Sequence, residues 1–130
     1  MCGIAGIAAK SAINGDAVRA MMARMGHRGP DADGIWHAQD HQVVFGHTRL
    51  AVIDTSDGGA QPMLDPTGQV ALVYNGEIYN YREIAGRLRS EGIALHSDSD
   101  TEVLLQAYIR WGRDMLAELN GMFAFCKIGR

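Results

Sequence analysis

Met1-Cys2-Gly3-Ile4-Ala5-Gly6-Ile7 opens the chain, and Ala8-Ala9 extends the run. Gly3 to Ala9 is small and apolar, the pattern of a buried strand. Two readings of Cys2 stand side by side. It can be a small apolar residue that opens the strand, since free cysteine packs well. It can also be chemistry. Removal of Met1 would leave one residue with both a thiol and an α-amine. In ordinary peptides these titrate at roughly 8.5 and roughly 7.7–8.0. An amine that titrates near neutrality suits the work of taking a proton from a neighbouring nucleophile. Cys2 would then be nucleophile and base in one residue.

The segments around that strand are expected to support it. Asn14-Gly15-Asp16 breaks the strand and offers a helix cap. Val18, Met21, Met22 and Met25 then recur at i, i+3, i+4 and i+7, one apolar stripe on a helix over 16–26. Residues 27–34 (HRGPDADG) are dense in turn formers and charge, and read as an ordered loop. Ile35–Ala38 and Val43–Phe45 read as a hairpin around Asp40, with the second strand running on to Ile53. Residues 54–68 form a long loop, and loops of that length in a small domain are often functional. Val70–Tyr74 is a strand, and Asn75-Gly76 after it is the strongest type I′ hairpin signal. Tyr81, Ile84, Ala85 and Leu88 mark a second helix closed by Gly92. Ile93–Leu95 reads as a short strand. Ser99-Asp100-Thr101-Glu102 matches a capping box before a third helix that carries Val103, Leu104, Ala107, Tyr108 and Trp111 on one side. A helical turn near 115–119 leads to a last apolar strand from Gly121 to Cys126. Strands in hairpin order with helices to cover them imply an α+β, antiparallel, layered fold.

Composition narrows the function. The chain has 130 residues, one domain's worth, with 47% apolar residues and a net charge of −3. No basic cluster stands out, which argues against nucleic-acid and anionic-membrane partners. No apolar run nears membrane-spanning length and no signal-peptide pattern is present, so a cytoplasmic location is the expectation. The two cysteines, Cys2 and Cys126, lie at opposite ends with no sign of a disulfide scaffold. Cys126 reads as a buried, inert thiol, and Trp36 and Trp111 as packing. His37 and His41 bracket a turn and lack the glutamate of a zinc-protease motif, so no metal site is expected.

Five segments in order carry a resemblance: 1–7 (MCGIAGI), 27–31 (HRGPD), 46–54 (GHTRLAVID), 74–81 (YNGEIYNY) and 99–103 (SDTEV). Together they resemble the glutamine amidotransferase domain of asparagine synthetases, which are N-terminal-nucleophile hydrolases. The resemblance covers essentially the whole chain. It implies a layered αββα antiparallel sandwich, here incomplete at its C-terminal end. It also implies hydrolysis of L-glutamine to glutamate and ammonia for transfer to aspartate. Cys2 takes the nucleophile's role by resemblance. Asn75 (side-chain amide) and Gly76 (backbone N–H) become the oxyanion donors that acyl transfer needs. Glycine suits that place because it lacks Cβ. Arg49 offers a fork for the substrate carboxylate. Asp100 and, by resemblance, Glu77 would take the ammonium, and the backbone of Leu50, Ala51, Val52 and Ile53 would line the pocket. Competing readings stay open: a surface ion pair for Arg49, helix-dipole stabilisation for Asp100, and a plain turn for Asn75-Gly76. His27 and Arg28 are expected to order a loop beside the site.

The resemblance also implies what lies outside residues 1–130. An asparagine synthetase carries a synthetase domain that uses ATP and Mg2+, and no phosphate-binding loop occurs in these residues. No cofactor is therefore expected in this chain. The expected partners are L-glutamine and a synthetase domain in a longer enzyme, with a homodimer of that enzyme left open. The alternative is a non-catalytic remnant that at most binds glutamine or a partner subunit.

Overall fold

The computed structural model describes residues 1–51 and 57–129. β1 (Gly3–Ala8) pairs antiparallel with β3 (Val43–Arg49), and β3 pairs antiparallel with β2 (Ala32–His37), giving the order β1-β3-β2. A second antiparallel sheet has the order β4-β5-β6, from Met63–Leu64, Ala71–Ile78 and Gly121–Ile128. Helix α1 (Asp16–Arg24) packs on the outside of the first sheet. Helices α2 (Tyr81–Ser90) and α3 (Asp100–Trp111) pack on the outside of the second. The result is the expected αββα sandwich.

Strand alternation assigns the layers, because successive side chains point to opposite faces. On β3, Val44 meets Val18 and Met22 of α1, while Phe45 turns inward to Ala71 and Val73 of β5. On β5, Leu72 and Tyr74 turn outward to Ile84, Leu88, Leu104 and Leu105 of the two helices. Ile4 of β1 and Trp36 of β2 join the inward cluster, with Trp36 tilted against Phe45 at 5.8 Å. The same parity sends Cys2, His47, Arg49 and Asn75 toward the space between the sheets.

Several expectations are corrected. Asn75-Gly76 makes no turn: β5 runs straight through it, paired to Ala124 and Phe123 of β6. The turn signal loses because β6 supplies a full ladder at that point, and Gly76 is needed for closeness instead. A Cβ there would stand 2.4 Å from the Met122 carbonyl oxygen and 2.6 Å from Phe123 Cα. Residues 93–95 are not a strand; their apolar side chains pack on the helical core without a ladder. Met21 is exposed, since α1 covers only a narrow strip. Residues 63–64, expected as loop, form β4. β6 continues past Cys126 to Ile128, and Cys126 is exposed rather than buried. The capping box is half formed. Ser99 Oγ accepts from the N–H groups of Thr101 and Glu102. The Glu102 carboxylate reaches past Ser99 to the N–H groups of His96 and Ser97. Among the described residues no helix is long and apolar enough to cross a membrane.

Candidate active site

The inward-facing residues open into a cleft of about 150 Å³. Cys2, Arg49, Leu50, Ala51, Asn75, Gly76, Glu77 and Asp100 all line it. These are all of the expected site residues except Val52 and Ile53, which lie outside the described residues. Met1 sits at the mouth and is 68% exposed.

Cys2 is held at the end of β3. Its Sγ accepts the Leu50 N–H at 3.3 Å and lies 3.5 Å from the Leu50 carbonyl oxygen. Its own carbonyl accepts Arg28 Nε–H at 3.1 Å. The loop expected to lie beside the site therefore grips the nucleophile candidate directly. That loop also fixes the pocket wall, because Asp31 Oδ2 accepts the Ala51 N–H at 2.8 Å. Arg49 is 9% exposed, and its main chain bridges to the same loop through the Asp31 N–H.

Asp100 is buried at the start of α3. Its Oδ2 accepts the Tyr74 hydroxyl at 2.6 Å and the Ile78 N–H at 3.2 Å. The carboxylate is thus tied to β5 rather than left to the helix dipole alone. Burial pushes the Tyr74 phenol far above its usual range. The bond to Asp100 and the negative charges of Asp100, Glu77 and an ionised Cys2 reinforce the effect. Tyr74 is therefore a permanent donor to Asp100. Glu77 is exposed at the rim.

His47 was not singled out by sequence reasoning, yet it lines the cleft and is 1% exposed. Burial pushes its pKa down to about 4 against an opposing hydrogen bond to the Tyr74 main chain, and Arg49 adds to the lowering. Its Nε2 is buried without a hydrogen-bond partner among the described residues. The signal that could have found it is the inward parity it shares with Phe45 and Arg49. Gln61 is the other missed residue; it came from a stretch with no periodicity to read. His37 and His41 meet edge to face at 5.8 Å, away from the cleft. Among the described residues no three His, Cys, Asp or Glu gather as metal ligands.

A sandwich of two antiparallel sheets between helices, with the first strand leading into a cleft between them, is the N-terminal-nucleophile hydrolase type of fold. Residues 1–129 match the family described as "Glutamine amidotransferase domain", and the chain belongs to that family. Asparagine synthetase [glutamine-hydrolyzing] 1 of Bacillus subtilis is 40% identical over 130 residues, which cover 96% of this chain and 20% of that relative. Amidase chry2 of Gibberella zeae is 36% identical over 137 residues, covering 96% of this chain and 20% of that protein. The chain thus spans about a fifth of the length of these curated relatives. Among solved structures, glutamine phosphoribosylpyrophosphate amidotransferase of B. subtilis superposes with a TM-score of 0.83. It is 21% identical and covers 99% of this chain and 35% of its own, a likeness of fold.

Proposed function

We propose that this chain is the glutamine-hydrolysing part of an asparagine-synthetase-like amidotransferase, with Cys2 as nucleophile. The observation that carries the reading is convergence. Residues from just ahead of β1, from β3 and β5 and from the start of α3, far apart in sequence, line one cleft with the charges a zwitterion needs. Arg49 takes the α-carboxylate, and Asp100 with Glu77 takes the α-ammonium. The side-chain amide is then directed toward Cys2.

Removal of Met1 frees the Cys2 amine, which accepts the thiol proton as sulfur attacks the amide carbon. Asn75 Nδ2 and the Gly76 N–H stabilise the oxyanion that forms. The C–N bond breaks as the amine returns the proton, and ammonia leaves. Water, deprotonated by the same amine, then cleaves the thioester to glutamate and restores the thiol. The ammonia's use is a further step of the same proposal. Transfer to aspartate would need a synthetase domain with ATP and Mg2+, outside residues 1–130. A cytoplasmic site of action fits such a biosynthetic role.

The test is direct. Mass spectrometry of the purified protein should show Met1 absent, and glutamine should yield equimolar glutamate and ammonia. Cys2→Ala should abolish turnover. An active protein that keeps Met1 removes the amine from the mechanism, and full activity in Cys2→Ala removes the thiol. Calorimetric binding of glutamine without product would leave a binding remnant as the better reading.

A further inference from the structure

One side chain ties the two halves of the cleft together. β4 pairs with β5 only at Leu72 and Ala71, so its ladder stops short of Tyr74. Gln61 takes over there. Its Oε1 accepts the Tyr74 N–H at 2.6 Å, and its Nε2 donates to Thr101 Oγ1 at 3.3 Å. The residue is 8% exposed and lines the cleft. Its main chain presses on the other sheet, since a Cβ built on Gly34 of β2 would stand 2.1 Å from the Gln61 carbonyl oxygen. A single residue thus touches β2, β5 and the first turn of α3. Tyr74 directly precedes Asn75-Gly76, and Thr101 directly follows Asp100.

We propose that Gln61 is a positioning residue that sets the spacing between the Asn75-Gly76 donors and the Asp100 carboxylate. This rests on the glutamine reading of the cleft. Asp100's own bonds anchor its carboxylate to β5, but they do not fix where β5 lies across the sheet. β6 holds one edge of β5 at Asn75 and Gly76, and Gln61 holds the opposite edge one residue earlier. Without Gln61 the Tyr74 N–H is a buried donor with no acceptor, and the strand must shift to satisfy it. A shift of about 1 Å at a reacting centre can cost on the order of a hundredfold in rate.

Gln61→Met keeps the length and removes both hydrogen bonds. Gln61→Glu restores an acceptor and, once protonated, one donor. In Gln61→Met, kcat/KM for glutamine should fall about ten- to a hundredfold. Alkylation of Cys2 by a chloroketone analogue of glutamine should slow in parallel. Alkylation by iodoacetamide, which needs only the thiol, should stay within about twofold. The activity of Gln61→Glu relative to the parent should rise as pH falls from about 8 to about 5.5, where its carboxyl begins to protonate. Should Gln61→Met not fold, that pH series decides alone. Folded Gln61→Met with kcat/KM within about twofold of the parent overturns the proposal. So does an equal loss toward both alkylating reagents, or a flat pH series. A parent that neither binds nor hydrolyses glutamine overturns the substrate reading itself, and this inference falls with it.

Discussion

Lowering the pH from 7 to 4 should destabilise this fold through His47, by an amount that follows from its burial. The imidazole has a usual pKa of 6.5, held down to about 4 in the folded chain. The unfolded chain therefore binds a proton between these values that the folded chain refuses. Stability from this group is fully present above pH 6.5 and is lost as pH falls through 6.5 toward 4. Integrated over that window at about 1.36 kcal/mol per pKa unit, the loss is about 3 kcal/mol. The assay is urea unfolding followed by circular dichroism at several pH values, on the parent and on His47→Gln. Carboxylates titrate in both proteins, so the difference between them isolates the imidazole. His47→Gln starts from a lower stability at pH 7, because a packed ring is lost. The gap should then close or reverse by about 3 kcal/mol on reaching pH 4. With a urea slope of about 1–3 kcal/mol per molar, that is a relative midpoint shift of about 1–3 M. A constant gap from pH 7 to 4 would refute the reasoning and mean that His47 accepts its proton in the folded state.

Other consequences are testable on the same protein. Tyr74→Phe removes the hydroxyl that Asp100 accepts at 2.6 Å, and should cost about 2 kcal/mol in urea unfolding, the range for a bond to a charged acceptor. It should also raise KM for glutamine, through a carboxylate less firmly held. Asn75→Ala should lower kcat by about two to three orders of magnitude, with a small change in KM, in a coupled glutamate assay. Gly76→Ala places a methyl 2.4 Å from the Met122 carbonyl oxygen, so it should lower the melting temperature and the turnover together. Arg28→Ala frees the Cys2 carbonyl and should lower kcat more than it lowers the urea midpoint.

The layers were legible in the sequence because they rest on periodicity. The stripe through Ile84, Ala85 and Leu88 encodes one buried face, the unbroken apolar run from Val70 to Tyr74 encodes a strand buried on both, and the structure has each so. Cys2, Arg49, Asn75, Gly76 and Asp100 were picked out in the sequence chiefly by the resemblance, and the structure brings all five to one cleft. What escaped was decided by partners remote in sequence. Asn75-Gly76 carries a strong local turn signal, and only β6, some 45 residues on, keeps it extended. Cys126 looks buried within its apolar run; alternation puts it on the inter-sheet face beside its partner Val73, yet it is exposed there. Gln61 and His47 acquire meaning from Tyr74, which one meets with its amide and the other with its ring.

The architecture also bears on why the proposed nucleophile is position 2 and not a residue deeper in the strand. β1 begins at Gly3 opposite Thr48, so the preceding residue lies level with the end of β3 and the mouth of the cleft. Parity faces it inward with Ile4, and the Leu50 N–H meets its sulfur where the β1–β3 ladder stops. The residue two places further along the same face, Ile4, packs against the cluster of Phe45, Ala71 and Val73 and does not line the cleft. A residue one place further would face α1. Only the residue just ahead of the strand combines an inward side chain with a main-chain nitrogen outside the ladder. Met1, bonded to that nitrogen, is exposed, and in the proposed mechanism its removal turns a peptide N–H into a base beside the thiol. Under the proposed function, the same strand end would supply rigidity through its ladder and chemistry through the freed amine.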